Sequence, residues 1–188
     1  PQRFYEALRR MDPAERKKIC MTSVRYVNQL YGHETLASLQ RTDARFFNKT
    51  MMMTLGGAAC SDGLEDGRVV SGVGGQYNFV AMAHELPGAR SILMLNSTRT
   101  RQNDVRSNII ASYGQITIPR HLRDVVITEY GIADLRGKTD RDVIIALLKI
   151  SDSRFQDELM RVAKTSGKLP QDYRIPDAFR NNVPERLN

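Results

Sequence analysis

The chain has 188 residues, 41% hydrophobic and 26% charged, enough for one well-cored domain with an extension and ordinary for a soluble protein. No apolar run approaches the ~20 residues of a membrane-spanning helix, and Pro1–Glu6 lacks a signal-peptide core. The formal charge of +7 points to an anionic partner or simply to solubility. The basic residues are scattered, without a contiguous block or interleaved aromatics, and a phosphate-bearing small molecule such as coenzyme A accounts for the charge as well as nucleic acid would, so charge alone does not decide between them.

Phe4, Leu8 and Met11 recur at helical spacing, and Asp12-Pro13-Ala14-Glu15 reads as a helix start with Asp12 as N-cap. The chain begins without Met and runs straight into this helical pattern, as a piece of a longer protein would. Cys20–Val27 carries β-branched and aromatic residues and is expected as a strand, and His33–Leu39 as a short helix or loop. Phe46–Leu55 is apolar with little alternation, suiting a strand buried on both faces or a buried helical turn. Asp66-Gly67 marks a reversal into the short apolar run Val69-Val70. A glycine loop follows, Ser71-Gly72-Val73-Gly74-Gly75-Gln76, and then a helix over Asn78–Leu86 that stops at Pro87-Gly88. Next comes the buried strand Ser91–Leu95. Strand, helix and strand in this order predict a βαβ unit, with the glycine loop and the Asn96–Arg101 segment both at carboxyl ends of strands, where ligands bind in such sheets.

Beyond it, Arg101–Arg106 is polar and expected to be mobile, and Ile116–Arg120 to be extended. A strand over Asp124–Gly131 is joined by Ile132–Thr139 to a helix, Asp140–Ile150, capped by Thr139 or Asp140, with Val143, Ile144, Leu147 and Leu148 on one stripe. A last helix, Ser153–Ala163, presents Phe155, Leu159 and Val162, and leads to a proline-containing tail expected to wrap over the surface. The expected organisation is an amino-terminal segment over 1–44, an α/β domain over 45–165 with an open, mostly parallel sheet flanked by helices, and the tail over 166–188.

Glycines at 72, 74 and 75 suit positive φ or close approach to a ligand, and a loop ending at a helix N-terminus presents free N–H groups to an anion or a polarised carbonyl. A tight turn with no ligand fits the same spelling. Gln76 and Asn78 offer hydrogen bonds to an amide or thioester, and Asn78 equally suits a helix cap. Glu129, at the end of an apolar strand, is the most suggestive carboxylate, since burial would raise its pKa; the plainer reading pairs it with an arginine such as Arg136. Glu85 and Asp134 are weaker candidates. His33, His84 and His121 are isolated, no metal spacing exists, and no nucleophilic triad is supported. Cys20 and Cys60 form neither a disulfide framework nor a metal pair; both are expected to be small buried side chains in a reducing, cytoplasmic setting.

Three stretches go beyond composition. Ser71-Gly72-Val73-Gly74-Gly75-Gln76-Tyr77-Asn78-Phe79 resembles the glycine motif of the acetyl-CoA hydrolase/transferase family, which includes 4-hydroxybutyrate, butyrate and succinate CoA-transferases. Val126–Gly137 (Val-Ile-Thr-Glu-Tyr-Gly-Ile-Ala-Asp-Leu-Arg-Gly) is similar to its second signature, and Ser107-Asn108-Ile109 and Thr117-Ile118-Pro119-Arg120 match between them. The resemblance covers roughly 45–165 and implies the carboxy-terminal part of a longer enzyme, one of two similar halves. It further implies a glutamyl-CoA thioester whose nucleophilic Glu lies upstream of the matched region, with the Gly74 and Gly75 N–H groups as oxyanion donors, Gly72, Gln76 and Asn78 shaping the CoA cleft, and Arg99 or Arg101 meeting phosphate. It implies no permanent cofactor, acyl-CoA and carboxylates as small-molecule partners, an amino-terminal domain of the same enzyme, and a homo-oligomer without membrane or nucleic acid. Asn78 stands where Asp is usual, and residues 1–45 match poorly, both pointing to a subfamily. Two other readings stay open: a stand-alone CoA- or nucleotide-binding regulatory module, and a basic nucleic-acid-binding domain.

Overall fold

The computed structural model describes residues 2–187. Four short helices lead the chain: α1 (Gln2–Arg10), α2 (Pro13–Arg16), α3 (Val24–Asn28) and α4 (Glu34–Gln40). The Asp12 side chain caps α2 by accepting from the Ala14 N–H, as its spelling predicts. The Cys20–Val27 strand is overturned. Ser23 accepts from the Arg25 N–H and starts α3 instead, so a local cap prevails over β-branched composition. Cys20 is exposed rather than buried, whereas Cys60 is buried.

The main sheet comprises β1 (Arg45–Lys49), β4 (Arg90–Met94), β8 (Val125–Thr128) and β9 (Gly131–Asp134), in that order. The first three run parallel, and β9 adds antiparallel to β8 at the edge. Between β1 and β4 the chain forms β2 (Met52–Thr54), β3 (Ala59–Cys60) and the helix α5 (Gln76–Glu85). The expected long strand over Phe46–Leu55 is therefore two, broken at Thr50-Met51. After β4 come β5 (Thr98–Arg101), β6 (Asp104–Ser107) and β7 (Ile109–Ile110), the last completing a small sheet in the order β3-β2-β7. The helices α6 (Asp140–Lys149) and α7 (Ser153–Thr165) close the fold. No helix among the described residues is long and apolar enough to cross a membrane.

The βαβ expectation is right in kind and wrong in its first strand. Val69-Val70 forms only an isolated bridge, Gly63 to Val69, and both valines are exposed. The strand parallel to β4 is β1, paired from Arg45↔Arg90 to Lys49↔Met94. Local apolar content could not distinguish the two, because register depends on residues far along the chain. Two other expectations change. The Ile132–Thr139 connector contains strand β9. Arg101–Arg106, expected to be mobile, lies in a β5–β6 hairpin turning on Gln102 and Asn103, whose φ of +48° and +67° are those of the tight hairpin turn. The tail runs largely exposed over the surface, as expected, but it is also pinned into the core at three buried residues. Leu169 and Ile175 join the main hydrophobic cluster, the buried Gln156 donates Nε2 to the Phe179 carbonyl, and Asn182 donates Nδ2 to the Lys149 and Ser151 carbonyls.

That cluster joins Met53 and Ile109 of the small sheet, Leu93 and Val126 of the main sheet, Val143, Leu147 and Leu148 of α6, and Leu159 of α7. Thr139, not Asp140, caps α6 by accepting from the Asp142 N–H. A second cluster lies where α5 meets β1: Met82, Leu86 and Ala89, with Phe46 and Phe79 at 5.3 Å between ring centroids. The amino-terminal helices differ from all this. No residue of α1, α2 or α3 is fully buried, and Phe4, Tyr5, Met21, Tyr31 and Leu39 stay exposed.

Candidate functional site

Three parallel strands ending side by side create a rim, and the backbone ties it together. The Thr50 N–H donates to the Met94 carbonyl and the Leu95 N–H to the Ile127 carbonyl, so the ends of β1, β4 and β8 are level. The glycine loop reaches this rim through the buried Gln76, whose Nε2 donates to the Lys49 carbonyl at 3.3 Å. The amino end of α5 thus sits at the carboxyl end of β1.

The three glycines have three different reasons to be glycine. Gly74 takes φ +59°, the left-handed region that other residues rarely adopt. Gly75 is the N-cap of α5, and a Cβ there would lie 2.5 Å from Nδ2 of Asn28, at the end of α3. Gly72 needs neither: its φ is not positive and a Cβ would meet only open space. No side chain caps α5, and among the described residues neither the Gly74 nor the Gly75 N–H has a hydrogen-bond partner. Asn78 therefore does not cap the helix; it lies half-buried in the first turn. Under the loop is a cavity of about 310 Å³ lined by Asn28, Asn48, Lys49, Ser61, Gly72 and Gln76. Among the described residues the buried Asn48 Nδ2 group has no hydrogen-bond partner, which leaves it a donor for a ligand carbonyl.

Glu129 follows β8 directly. It is exposed rather than buried, and its partner is Ser97, not Arg136. The wholly buried Ser97, just past β4, donates its backbone N–H to Glu129 at 2.7 Å and its Oγ–H at 3.0 Å, closing the gap between two strand ends. Arg136 is engaged by Asp134 at 2.5 Å and by Asp124 at 3.5 Å. The hydrogen bonds from Arg136 hold the Asp134 carboxyl down to about 2 against the burial that opposes them. Beside Glu129, Tyr130 donates to the buried Asp152, and burial together with that carboxylate pushes the phenol well above its ordinary range.

Arg99 does not reach the glycine loop. Its guanidinium donates to Oδ1 of Asn108 at 2.7 Å and to the Ser107 carbonyl, while Asn108 in turn donates to the Asn96 carbonyl. The structure therefore brings Gln76, Gly74 and Gly75 to one part of the rim and Glu129 to another, with β4 between. Asn28, Asn48 and Ser97 escaped sequence reasoning. No local spelling marks them: Asn28 and Ser97 act on residues distant in the chain, and Asn48 matters only for its place at the cavity. Among the described residues no cluster of His, Cys, Asp and Glu could hold a metal ion, and His84 places Nδ1 2.8 Å from the Val80 carbonyl of its own helix.

Residues 1–163 match the family model described as the acetyl-CoA hydrolase/transferase C-terminal domain. The chain is 33% identical over 145 residues to 4-hydroxybutyrate coenzyme A transferase of Clostridium kluyveri, covering 76% of this chain and 32% of that protein. It is 35% identical over 137 residues to a probable butyrate:acetyl-CoA coenzyme A-transferase of Syntrophomonas wolfei, covering 71% and 30%. Among solved structures, RipA from Yersinia pestis superposes with TM-score 0.65 at 30% identity, covering 78% of this chain and 32% of that one. A 4-hydroxybutyrate CoA-transferase from Porphyromonas gingivalis gives 0.57 at 26%, covering 76% and 30%. The chain spans about a third of the length of the curated relatives it matches.

Proposed function

The chain belongs to the acetyl-CoA hydrolase/transferase C-terminal domain family, and we propose on that premise that it builds one wall of an acyl-CoA cleft in an enzyme that hydrolyses the thioester or passes CoA between carboxylates. The observation that carries this reading is the pair of unpartnered N–H groups at Gly74 and Gly75, at the uncapped start of α5 and on the carboxyl rim of the sheet. An incoming thioester carbonyl gains negative charge on oxygen when a nucleophile attacks it, and fixed backbone donors at a helix N-terminus stabilise that charge without reorganising. Gln76 holds the loop to β1, and the Asn48 amide offers a further donor from below.

In this account a glutamate from another part of the enzyme attacks the acyl carbonyl and displaces the CoA thiolate. That thiolate then attacks the glutamyl carbonyl, releasing the carboxylate and leaving a glutamyl-CoA thioester, which water or a second carboxylate resolves. Glu129 is a poor choice for the nucleophile, because both of its oxygens already accept hydrogen bonds from Ser97, which lowers their availability for attack. Its place is on the rim, as a fixed acceptor. The exposed apolar side chains of α1 to α4 support the view that the rest of the enzyme packs there and completes the cleft.

Acyl-CoA turnover tests this reading. The 188-residue chain should not cleave acetyl-CoA, with or without acetate as acceptor. Robust turnover lost in the Glu129→Gln variant would make Glu129 the nucleophile and overturn the assignment.

A further inference from the structure

β2 leaves the rim after Thr50 and ends at Thr54, where the chain turns through Leu55 and Gly56 beside the start of α6 and the end of α7. A cleft of about 350 Å³ opens there, at the low end for small-molecule sites, and it shares no residue with the glycine loop. Leu55, Ala58, Ile144 and Ala163 give it a buried apolar floor. Val162 adds to one wall, and Ile116, which also lines it, keeps 55% of its surface in water. The loop after β7 closes another side and is held in place, because the Tyr113 hydroxyl accepts from the Glu65 N–H at 3.1 Å. The same cleft carries a charge imbalance. Among the described residues Asp140 is the one carboxylate on its lining, and three cations converge on it: Arg120 at 2.9 Å, Arg123 at 3.2 Å and Lys168 at 3.4 Å. Arg123 is committed, since it also donates to the Gly56 and Lys138 carbonyls. Arg120 spends only Nη1 on Asp140; its Nη2 and Nε have no partner among the described residues, and Lys168 makes only its one long contact. Hydrogen bonds, that from Arg123 first, hold the Asp140 carboxyl below its ordinary range, so it is ionised at neutral pH and the junction keeps two positive charges in excess.

We propose that this cleft binds a small free carboxylic acid with an apolar body. The site goes beyond the acyl-CoA reading and does not depend on it; its occupant carries no thioester. Floor and charge together decide the class. A bare inorganic anion would leave Leu55, Ala58 and Ile144 unfilled, and an uncharged hydrocarbon would leave the excess positive charge unanswered. The carboxylate lies against the unengaged Nη2 and Nε edge of Arg120, a planar fork that fits two carboxylate oxygens at once, with Lys168 beside it. A second carboxylate near Asp140 is tolerated because three cations already face the first. The apolar body covers Ile116 and Val162, and removing that surface from water supplies the rest of the affinity. An acid held there bridges the end of β2 to α6 and α7, so its binding also stabilises the folded chain.

The test is a titration of the isotope-labelled 188-residue chain with hexanoate, following side-chain methyls and the Arg120 Nε–Hε resonance. Hexanol, which keeps the body, and acetate, which keeps the head, are the controls. Hexanoate should shift the methyls of Leu55, Ile144 and Val162 together with Arg120, and bind at least about tenfold more tightly than either control. Arg120→Gln removes an exposed guanidinium while Arg123 and Lys168 still hold Asp140, so the fold survives. It should weaken hexanoate about tenfold, the loss of one charge-assisted interaction, and leave hexanol unchanged. Ala111→Phe, which adds bulk to the lining from the loop after β7, should abolish binding of both while amide resonances elsewhere stay in place. Hexanoate no tighter than its controls, affinity unaltered in Arg120→Gln, binding retained in Ala111→Phe, or shifts that miss these methyls would each overturn the site.

Discussion

Replacing Gly72, Gly74 and Gly75 one at a time by alanine should separate three physical causes that the loop's spelling runs together. At Gly74 the cause is the backbone: alanine held at φ +59° costs about 1–2 kcal/mol, whatever lies around it, and nothing does. At Gly75 the cause is a neighbour. The new methyl would lie 2.5 Å from Nδ2, 3.0 Å from Cγ and 3.1 Å from Oδ1 of Asn28. Those atoms are the end of a flexible side chain with no hydrogen-bond partner among the described residues, so Asn28 can turn away, and the cost falls at the low end for overpacking, about 1 kcal/mol. At Gly72 there is neither cause, and alanine should be neutral or slightly stabilising by reducing the freedom of the unfolded chain. In a chain of this size each kcal/mol moves Tm by roughly 2–4 °C. Thermal and urea unfolding followed by circular dichroism should therefore rank the variants Gly74→Ala, Gly75→Ala, Gly72→Ala from least to most stable. The decisive step is the Asn28→Ala background, which should abolish the cost at Gly75 and leave that at Gly74 intact, a coupling of about 1 kcal/mol in a double-mutant cycle. Rescue of both, or of neither, would refute the assignment of causes.

Other substitutions probe the rest of the account. Leu147→Ala removes a side chain with no exposed surface from the main core and should cost about 3 kcal/mol, lowering Tm by roughly 6–12 °C. Tyr31→Ser, at 81% exposure, should shift stability by less than about 0.5 kcal/mol; a large loss would mean that α3 and α4 carry packing not visible in their exposure. Because Arg136 and the lesser influences on Asp134 lower its carboxyl to about 2 in the folded chain, its contribution is present above pH 4 and lost as pH falls from about 4 to 2. The pair is nearly half exposed, so the Asp134→Asn cost should be below about 1 kcal/mol at pH 7 and be mostly lost by pH 2 in paired melts. Ser97→Ala keeps the backbone donor to Glu129 and loses the hydroxyl, which should cost about 1 kcal/mol in urea unfolding, whereas Glu129→Gln should relieve that dependence on Ser97 Oγ only partly.

What could be read from the sequence was what local chemistry decides. Asp12-Pro13 started α2, the stripe Val143, Ile144, Leu147, Leu148 marked the buried face of α6, and Thr139 was a sound cap candidate. The family was legible in the glycine motif and the Val126–Gly137 signature, and the mostly parallel sheet followed from it. What failed depended on partners distant in the chain. Val69-Val70 looked like the strand before α5 because it is apolar, but pairing with β4 belongs to Arg45–Lys49. Glu129 was matched with the nearby Arg136, yet Asp134 and Asp124 hold that arginine, and Ser97 at 32 residues' separation takes the carboxylate. The β5–β6 hairpin carries no Asn-Gly or Asp-Gly turn, so Gln102-Asn103 read as loop. In the glycine motif, only the fold could show that Gly75 yields to Asn28.

The central claim is that the loop before α5 receives the thioester end of an acyl-CoA. Titrating acetyl-CoA into the isotope-labelled chain and following backbone amides tests it most directly. The account predicts progressive shifts at Gly74, Gly75 and Gln76 with the thioester left intact. Shifts that bypass those three amides, or cleavage of the thioester by this chain, would contradict it.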